Sequence, residues 1–230
     1  FGAQHVEWDE KIFKIAFDKS WTVIKTITRR HIPLATYRKV AKACVADPEI
    51  EIQGPTEPLR YAVTRFGSRV IMARRMVENR VIYEKLIVDG EFNKWLRSQE
   101  AKTKDKFSKL KMRIMDDSFW EGVDLAVRVL EPALEALRYS DGMKGGSMAL
   151  LYDLLLQLDE MYSQPIEGLD DDIREKMHRI FVSRWHAFHA PIFTAAFALS
   201  PQFCRRSIPT AMLQDVHKVM QDLSKAPVSV

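Results

Sequence analysis

Two histidines in the last quarter of the chain have a spacing that suits metal chemistry. His186 and His189 are three residues apart, so on a helix both imidazoles can reach one ion. A metal site needs a third ligand, and no standard spacing supplies one from Cys44, Cys204 or His178. We therefore interpret the pair as polar residues at the end of a helix, and we predict no metal and no cofactor.

Three consecutive carboxylates, Asp170, Asp171 and Asp172, precede an apolar pattern of helical period. Side chains at three successive positions point in different directions, so capping of a helix N-terminus is favoured over a metal site. The sequence contains no nucleophile motif, no phosphate-binding glycine loop and no dinucleotide fingerprint. We predict no catalytic residue in this chain.

The densest basic segment spans residues 102–113 and contains six lysines and arginines. On a helix, four of them share one face at spacings of four, three and four: Lys102, Lys106, Lys109 and Arg113. Such a stripe can follow the phosphates of a nucleic acid, and it is equally typical of a solvated helix face. Two smaller basic clusters occur at residues 29–31 and 38–42.

Composition indicates an ordinary soluble globular protein, with 47% hydrophobic and 29% charged residues and a net charge of +4. Two cysteines are too few for a disulfide scaffold and favour an intracellular reducing compartment such as the nucleus. The most apolar run, Met148–Leu158, is too short to cross a bilayer and contains Asp153. Because the chain opens at Phe1 directly into dense pattern, we expect a fragment of a longer protein.

Apolar residues recur at helical spacing along most of the chain, and a short strand at Ile50–Ile52 is the one alternative that we keep open. The sequence thus predicts an all-α, multi-helix bundle with little or no β-structure. The predicted helices are Trp8–Ile27, Leu34–Ala46, Tyr61–Val88, Phe92–Leu96, Lys102–Arg113, Phe119–Arg138, Met148–Tyr162, Ile173–Phe188, a short one between Pro191 and Pro201, and Ile208–Leu223.

Glycine and proline mark the divisions of this bundle. The loop Ser140–Ser147 separates an N-terminal helical layer, residues 1–141, from a C-terminal layer, residues 142–230, and we expect one continuous domain. Pro132 predicts a kink or a break in its helix, because proline removes one backbone hydrogen bond. Phe119, Trp120 and Trp185 fall on apolar stripes and are predicted to lie in the core.

An ordered set of short motifs resembles the middle of hAT-superfamily transposases. In chain order, the matching residues are Thr64-Arg65-Phe66, Phe119-Trp120, Val123, Leu130-Glu131-Pro132, Leu134, Leu137-Arg138, Asp141-Gly142, Met148, Tyr152, Arg184-Trp185, His189-Ala190-Pro191, Ala195-Ala196, Leu199 and Pro201. The order and spacing agree from about Phe1 to Phe203. The resemblance implies the helical domain that these enzymes insert into an RNase H-like fold.

The resemblance also implies where the family's catalytic acids lie. Two aspartates and a glutamate hold divalent metal in that family, and a Cys-x-x-His step follows the second aspartate. His5 matches this histidine, with Gly2 in place of the cysteine. Both aspartates are then expected upstream of Phe1, and the glutamate beyond the segment matched at Pro201.

Three positions depart from the family pattern. Phe66 stands where many active relatives have tryptophan, His186 replaces a common acidic residue, and Ser200 replaces an asparagine. These differences concern residues that the resemblance associates with the handling of DNA strands.

We therefore expect a non-catalytic helical part of a hAT-transposase-like protein that contributes DNA-backbone contact and subunit packing. The expected DNA contacts are Arg65, Arg69 and the four basic residues of the 102–113 stripe. The alternative is a domesticated, transposase-derived module that binds proteins and not DNA. The candidate partners are thus DNA, a protein or a second copy, with no membrane and no small-molecule substrate.

Overall fold

The structure is a computed structural model that describes residues 12–52, 54–62, 67–142, 147–203 and 210–225. These ranges contain eleven helices and no strand, which confirms the all-α prediction, and Ile50–Ile52 is irregular. The helices are α1 (Ile12–Thr28), α2 (His31–Ala46), α3 (Ser68–Glu78), α4 (Arg80–Val88), α5 (Gly90–Arg97), α6 (Ala101–Ile114), α7 (Asp117–Asp141), α8 (Met148–Ser163), α9 (Asp171–Phe188), α10 (Pro191–Ala198) and α11 (Thr210–Lys225).

The chain divides into two compact units, which we call unit 1 (Phe1–Glu131) and unit 2 (Pro132–Val230). The division falls inside α7, at Pro132. Proline has no amide hydrogen, so this turn lacks one bond of the helical ladder. The chain nevertheless stays helical through Pro132, and the break that the proline suggested is absent. The predicted layers, 1–141 and 142–230, stay a prediction.

Unit 1 is built around the apolar faces of α1 to α6 and the first part of α7. Helix α2 packs against α1, α4 and α5, and α6 packs against α4 and α5. Phe13, Tyr37, Tyr83, Phe92 and Phe107 are fully buried in this unit. Each removes a large apolar surface from water, which is the main force that stabilises such a core.

The predicted single helix Tyr61–Val88 is wrong, because α3 and α4 are separate helices that meet at Asn79. The backbone of Asn79 has φ −106° and ψ 17°, outside helical geometry. Its buried side chain donates hydrogen bonds to the carbonyl of Pro55, at 3.1 Å, and to that of Arg75, at 2.9 Å. A tertiary contact with the 54–62 loop therefore accompanies the break.

Unit 2 has a small aromatic core between α8, α9, α10 and α11. Tyr152, Phe197 and Phe203 are buried, and Trp185 packs against them while it stays partly exposed. Helix α10 packs against α8 and α11, and α8 packs against α9. Asp170 begins α9 by accepting hydrogen bonds from the backbone amides of Asp172 and Ile173, so the predicted capping role is confirmed.

Candidate nucleic-acid interface

Helix α6 separates an apolar face from a basic one. Its apolar residues recur at spacings of three and four and are buried in the core of unit 1: Phe107, Leu110 and Ile114. The helical geometry places the four basic residues predicted from sequence together on another face: Lys102, Lys106, Lys109 and Arg113. The three lysines are exposed and Arg113 is half-buried. We call these four residues the α6 stripe.

One carboxylate lies beside the stripe. The ammonium of Lys109 is 2.8 Å from Asp105, and both side chains are more than half exposed. Exposed pairs of this kind contribute at most about 1 kcal/mol, so Lys109 can exchange Asp105 for another anion at little cost. Asp105 is the only acidic residue of α6, against six basic ones.

Lys111 lies outside the stripe and has a packing role. Its ammonium is 5.6 Å from the centre of the Phe92 ring and donates a hydrogen bond to the amide oxygen of Asn93. Partial burial lowers the pKa of Lys111, and the nearby guanidinium of Arg97 lowers it further. This contact ties α6 to α5 and so fixes the direction in which the stripe faces.

Tertiary packing joins the first of the small basic clusters to the stripe. The guanidinium of Arg30 lies 3.5 Å from the hydroxyl of Thr103, in the first turn of α6, although 73 residues separate them in sequence. Arg29, Arg30 and His31 are all exposed at the junction of α1 and α2. The basic surface therefore continues from α6 onto this junction, an extension that sequence spacing does not reveal.

Two basic residues of the second small cluster, Arg38 and Lys39, are paired with carboxylates. Arg38 donates hydrogen bonds from Nε to both carboxylate oxygens of Glu57, at 3.0 and 3.2 Å, and this lowers the pKa of Glu57. Lys39 lies 3.0 Å from Glu91, and that hydrogen bond raises the pKa of Lys39. Paired charges of this kind leave less net positive potential for a distant anion.

The other predicted DNA contacts have different surroundings. Arg69 is half-buried on α3, which packs against α1, and its guanidinium lies 5.1 Å from the centre of the Tyr61 ring. The α6 stripe belongs to a helix that packs against α4 and α5. Arg65, Phe66 and His5 lie outside the described residues.

Phe119 and Trp120, two of the residues on which the sequence resemblance depends, belong to the core, as predicted. Both are 3% exposed, and the indole Nε1 of Trp120 donates a 2.7 Å hydrogen bond to the carbonyl of Ile114, the last residue of α6. The guanidinium of Arg80 lies 5.3 Å from the Trp120 ring and pairs with Asp117. Trp120 thus anchors the end of α6 to the start of α7.

In unit 2, Trp185 and His189 border a polar cluster that sequence reasoning missed. The hydroxyl of Thr194, on α10, is fully buried and donates to the carboxylate of Asp215 on α11 at 3.0 Å. The Nε2 atom of His189 is 2.9 Å from the same hydroxyl, and the hydroxyl of Tyr152 is 3.4 Å from it. The one available signal is the polar Thr194 in the otherwise apolar sequence of α10.

This cluster resembles a nucleophile, base and acid in composition but not in arrangement. The Thr194 hydroxyl directs a hydrogen bond to Asp215, and His189 lies 3.7 Å from the same carboxylate oxygen. Because Thr194 has no exposed surface, a substrate cannot reach its oxygen. The cluster therefore holds α11 and the end of α9 against α10.

The histidines considered for a metal have other contacts. His186 is exposed on α9, and His178 pairs with Asp159 at 2.8 Å. No group of three or more His, Cys, Asp or Glu side chains is placed to hold a metal ion within the described ranges. None of the described helices combines the length and the apolar character that a membrane span requires.

Comparison of the chain with protein-family models, with curated proteins and with solved structures finds no match in any of the three.

Proposed function

We propose that this chain is a non-catalytic helical part of a hAT-transposase-like protein, in which unit 1 binds the DNA backbone and unit 2 contributes to subunit packing. The single observation that supports DNA contact is the α6 stripe, four basic side chains on one face of a helix that Trp120 and Lys111 hold in place. The ordered sequence motifs support the family assignment.

The chemistry of the stripe favours phosphates over base edges. Lysine and arginine side chains on one helix face can each neutralise a phosphate along a duplex, and release of counterions then drives binding. Phosphate contacts position a protein without reading sequence, so binding is weak and largely independent of sequence. Arg30, whose guanidinium lies beside Thr103 in the first turn of α6, adds a further cation to this surface.

A fluorescence-anisotropy titration at several salt concentrations tests this proposal. Replacement of Lys102, Lys106, Lys109 and Arg113 by glutamate is expected to weaken binding to every duplex and to flatten the salt dependence. The slope should fall by roughly one unit for each phosphate that the variant no longer neutralises. The matched control reverses four exposed basic residues of unit 2, namely Lys176, Arg179, Arg184 and Lys218.

Both variants change the net charge equally, so the comparison separates a local surface from the overall charge. Equal affinities for the two variants would remove the α6 stripe from the interface. Absence of binding by the unmodified protein at low salt would instead favour the alternative function, a protein-interaction module without DNA binding. The apolar helix faces that unit 2 exposes are the observation that favours this alternative.

We also expect the chain to lack nuclease and strand-transfer activity, because the resemblance places the two aspartates and the glutamate outside its matched segments. Metal-assisted phosphoryl transfer needs clustered acids to hold the ions. Supercoiled plasmid incubated with the protein and Mg²⁺ or Mn²⁺ should stay intact. Metal-dependent nicking that persists through several orthogonal purification steps would contradict this expectation.

A further inference from the structure

Helix α11 exposes an apolar stripe beside the face that packs against the core of unit 2. Leu213, Met220 and Leu223 are 51%, 58% and 68% exposed, and Val216 is half-buried between them along the helix. Their spacings of three, four and three place all four on one face. We call these four residues the α11 stripe. An exposed apolar surface of this kind typically marks an interaction site.

The neighbouring face of α11 serves the interior of unit 2. Met212 packs against the aromatic core, and Asp215 accepts the hydrogen bond of the buried Thr194. These two contacts fix the rotation of α11 about its axis. The α11 stripe borders this inner face, and three of its four residues are exposed in the folded unit.

The charged residues of α11 avoid the stripe. A helix turns by about 100° per residue, so all four charged side chains point about 120° or more away from the centre of the stripe. These residues are Asp215, Lys218, Asp222 and Lys225. Among the polar residues of α11, His217 and Ser224 lie nearest the edge of the stripe. A helix that approaches this face thus meets no full charge that would need desolvation.

The order of residues in the stripe is symmetric about Lys218. Leu213 and Leu223 lie five residues before and after it, and Val216 and Met220 lie two residues before and after it. In a two-fold dimer, each residue i contacts j of the partner while j contacts i. If two α11 helices run antiparallel, leucine therefore faces leucine, and valine faces methionine, at both ends of the interface.

We propose that the α11 stripe binds the α11 stripe of a second copy of this chain. The two helices run antiparallel, and the two-fold axis crosses the middle of the stripe, at the level of Lys218 along the helix. This inference rests on the subunit-packing part of the proposed function and names its surface and its partner. Lys218 points away from the axis, so the two lysines do not oppose each other.

The size of the surface sets the strength of the dimer. A helix of 16 residues is about 24 Å long, and two such helices bury less than the roughly 800 Å² per partner of a standard stable interface. We therefore expect a weak dimer whose population depends on the protein concentration.

Sedimentation velocity over a range of protein concentrations tests the proposal on the full chain without DNA. The unmodified protein should shift from monomer to dimer as its concentration rises. Leu213→Glu and Leu223→Lys should each stay monomeric at concentrations that dimerise the unmodified protein. Lys218→Glu, on the opposite face of the same helix, is the matched control and should dimerise normally. Unchanged thermal midpoints show that these exposed substitutions leave the fold intact.

Mixing the two variants tests the direction of the helices. In an antiparallel pair, glutamate at position 213 of one copy faces lysine at position 223 of the other, so the mixture should dimerise where neither variant does alone. A monomeric mixture would overturn the antiparallel arrangement. A monomeric unmodified protein at several hundred micromolar, or equal dimerisation by all variants, would overturn the whole inference.

A DNA titration of Leu213→Glu separates this inference from the proposed function. Unit 1 carries the α6 stripe, so the affinity of the monomer for short duplexes should equal that of the unmodified protein at the same low concentration. Loss of dimerisation with intact DNA binding supports both ideas. If Leu213→Glu loses both dimerisation and DNA binding, that result would contradict the placement of the DNA surface in unit 1.

Discussion

Unit 1 and unit 2 are both all-helical, but they bury their side chains to different depths. The largest fully buried side chains, from Phe13 to Ile114, all belong to unit 1. The core cluster of unit 2 consists of smaller or less completely buried residues, and its fully buried side chain is the polar Thr194. Unit 1 thus holds its largest apolar side chains fully inside its core.

Both units also expose large apolar side chains on their surfaces. In unit 1 the large apolar side chains that are at least half exposed are Ile15, Val45, Val88, Met112 and Met115. In unit 2 they are Phe188, Leu199, Leu213, Met220 and Leu223. A helix with apolar residues on most of its faces is normally packed on most of them, whereas α10 leaves Ile192 45% exposed. The two units therefore differ in the depth of their cores and not in the number of large apolar side chains that they expose.

The largest expected effect tests the difference in core depth. Trp120→Ala in unit 1 should lower the free energy of unfolding by about 3–5 kcal/mol, because a buried indole and its hydrogen bond to Ile114 are removed. Trp185→Ala in unit 2 should cost less, since that ring is partly exposed. Urea unfolding followed by circular dichroism measures both. An equal or larger cost at Trp185 would contradict the difference in core depth between the two units.

The second prediction concerns alkaline stability. Burial raises the pKa of Tyr162 to about 12, and it also raises the pKa of Tyr83 in unit 1. Because the folded state resists ionisation, the neutral phenol of Tyr162 stabilises the fold below its ordinary pKa of about 10. This contribution, on the order of 3 kcal/mol, is lost as the pH rises through about 12.

Tyr162→Phe removes the ionisable group but keeps the ring. The unfolding free energy of the variant should therefore decline less steeply between pH 10 and pH 12 than that of the unmodified protein. Urea titrations at pH 9, 11 and 12 measure the two slopes. Identical slopes would show that Tyr162 does not contribute to alkaline unfolding.

The third prediction tests the polar centre of unit 2. Thr194→Val removes the buried hydroxyl and leaves Asp215 and His189 without that partner, which should cost about 1–3 kcal/mol. Thr194→Ser keeps the hydroxyl and should cost less. Thermal unfolding of both variants distinguishes the roles of shape and hydrogen bonding. If Thr194→Val has the same thermal midpoint as the unmodified protein, the hydroxyl contributes little to the packing of α11 against α10.

The smallest effect is expected at the start of α9. Asp170→Ala removes the side chain that caps two backbone amides and should cost about 1 kcal/mol. Asp172→Ala, in the exposed first turn of the same helix, is the control and should cost a few tenths of a kcal/mol. The order of the two thermal midpoints checks the prediction, and a reversed order would contradict it.

Local sequence determined the all-helical character of this protein and the apolar and polar faces of most of its helices. The four residues of the α6 stripe and the cap at Asp170 were predictable, because helical period and capping depend on residues three or four apart. The burial of Phe119 and Trp120 followed from the same period. These features need no knowledge of how distant segments meet.

Tertiary structure alone decided the features that join distant residues. The break at Asn79 coincides with a hydrogen bond to Pro55, the basic surface grows by the approach of Arg30 to Thr103, and Thr194 meets Asp215 on another helix. Helical periodicity specifies which side of a helix is apolar but not which partner covers it. Those partners are set by packing among helices, and short-range patterns carry no information about that choice.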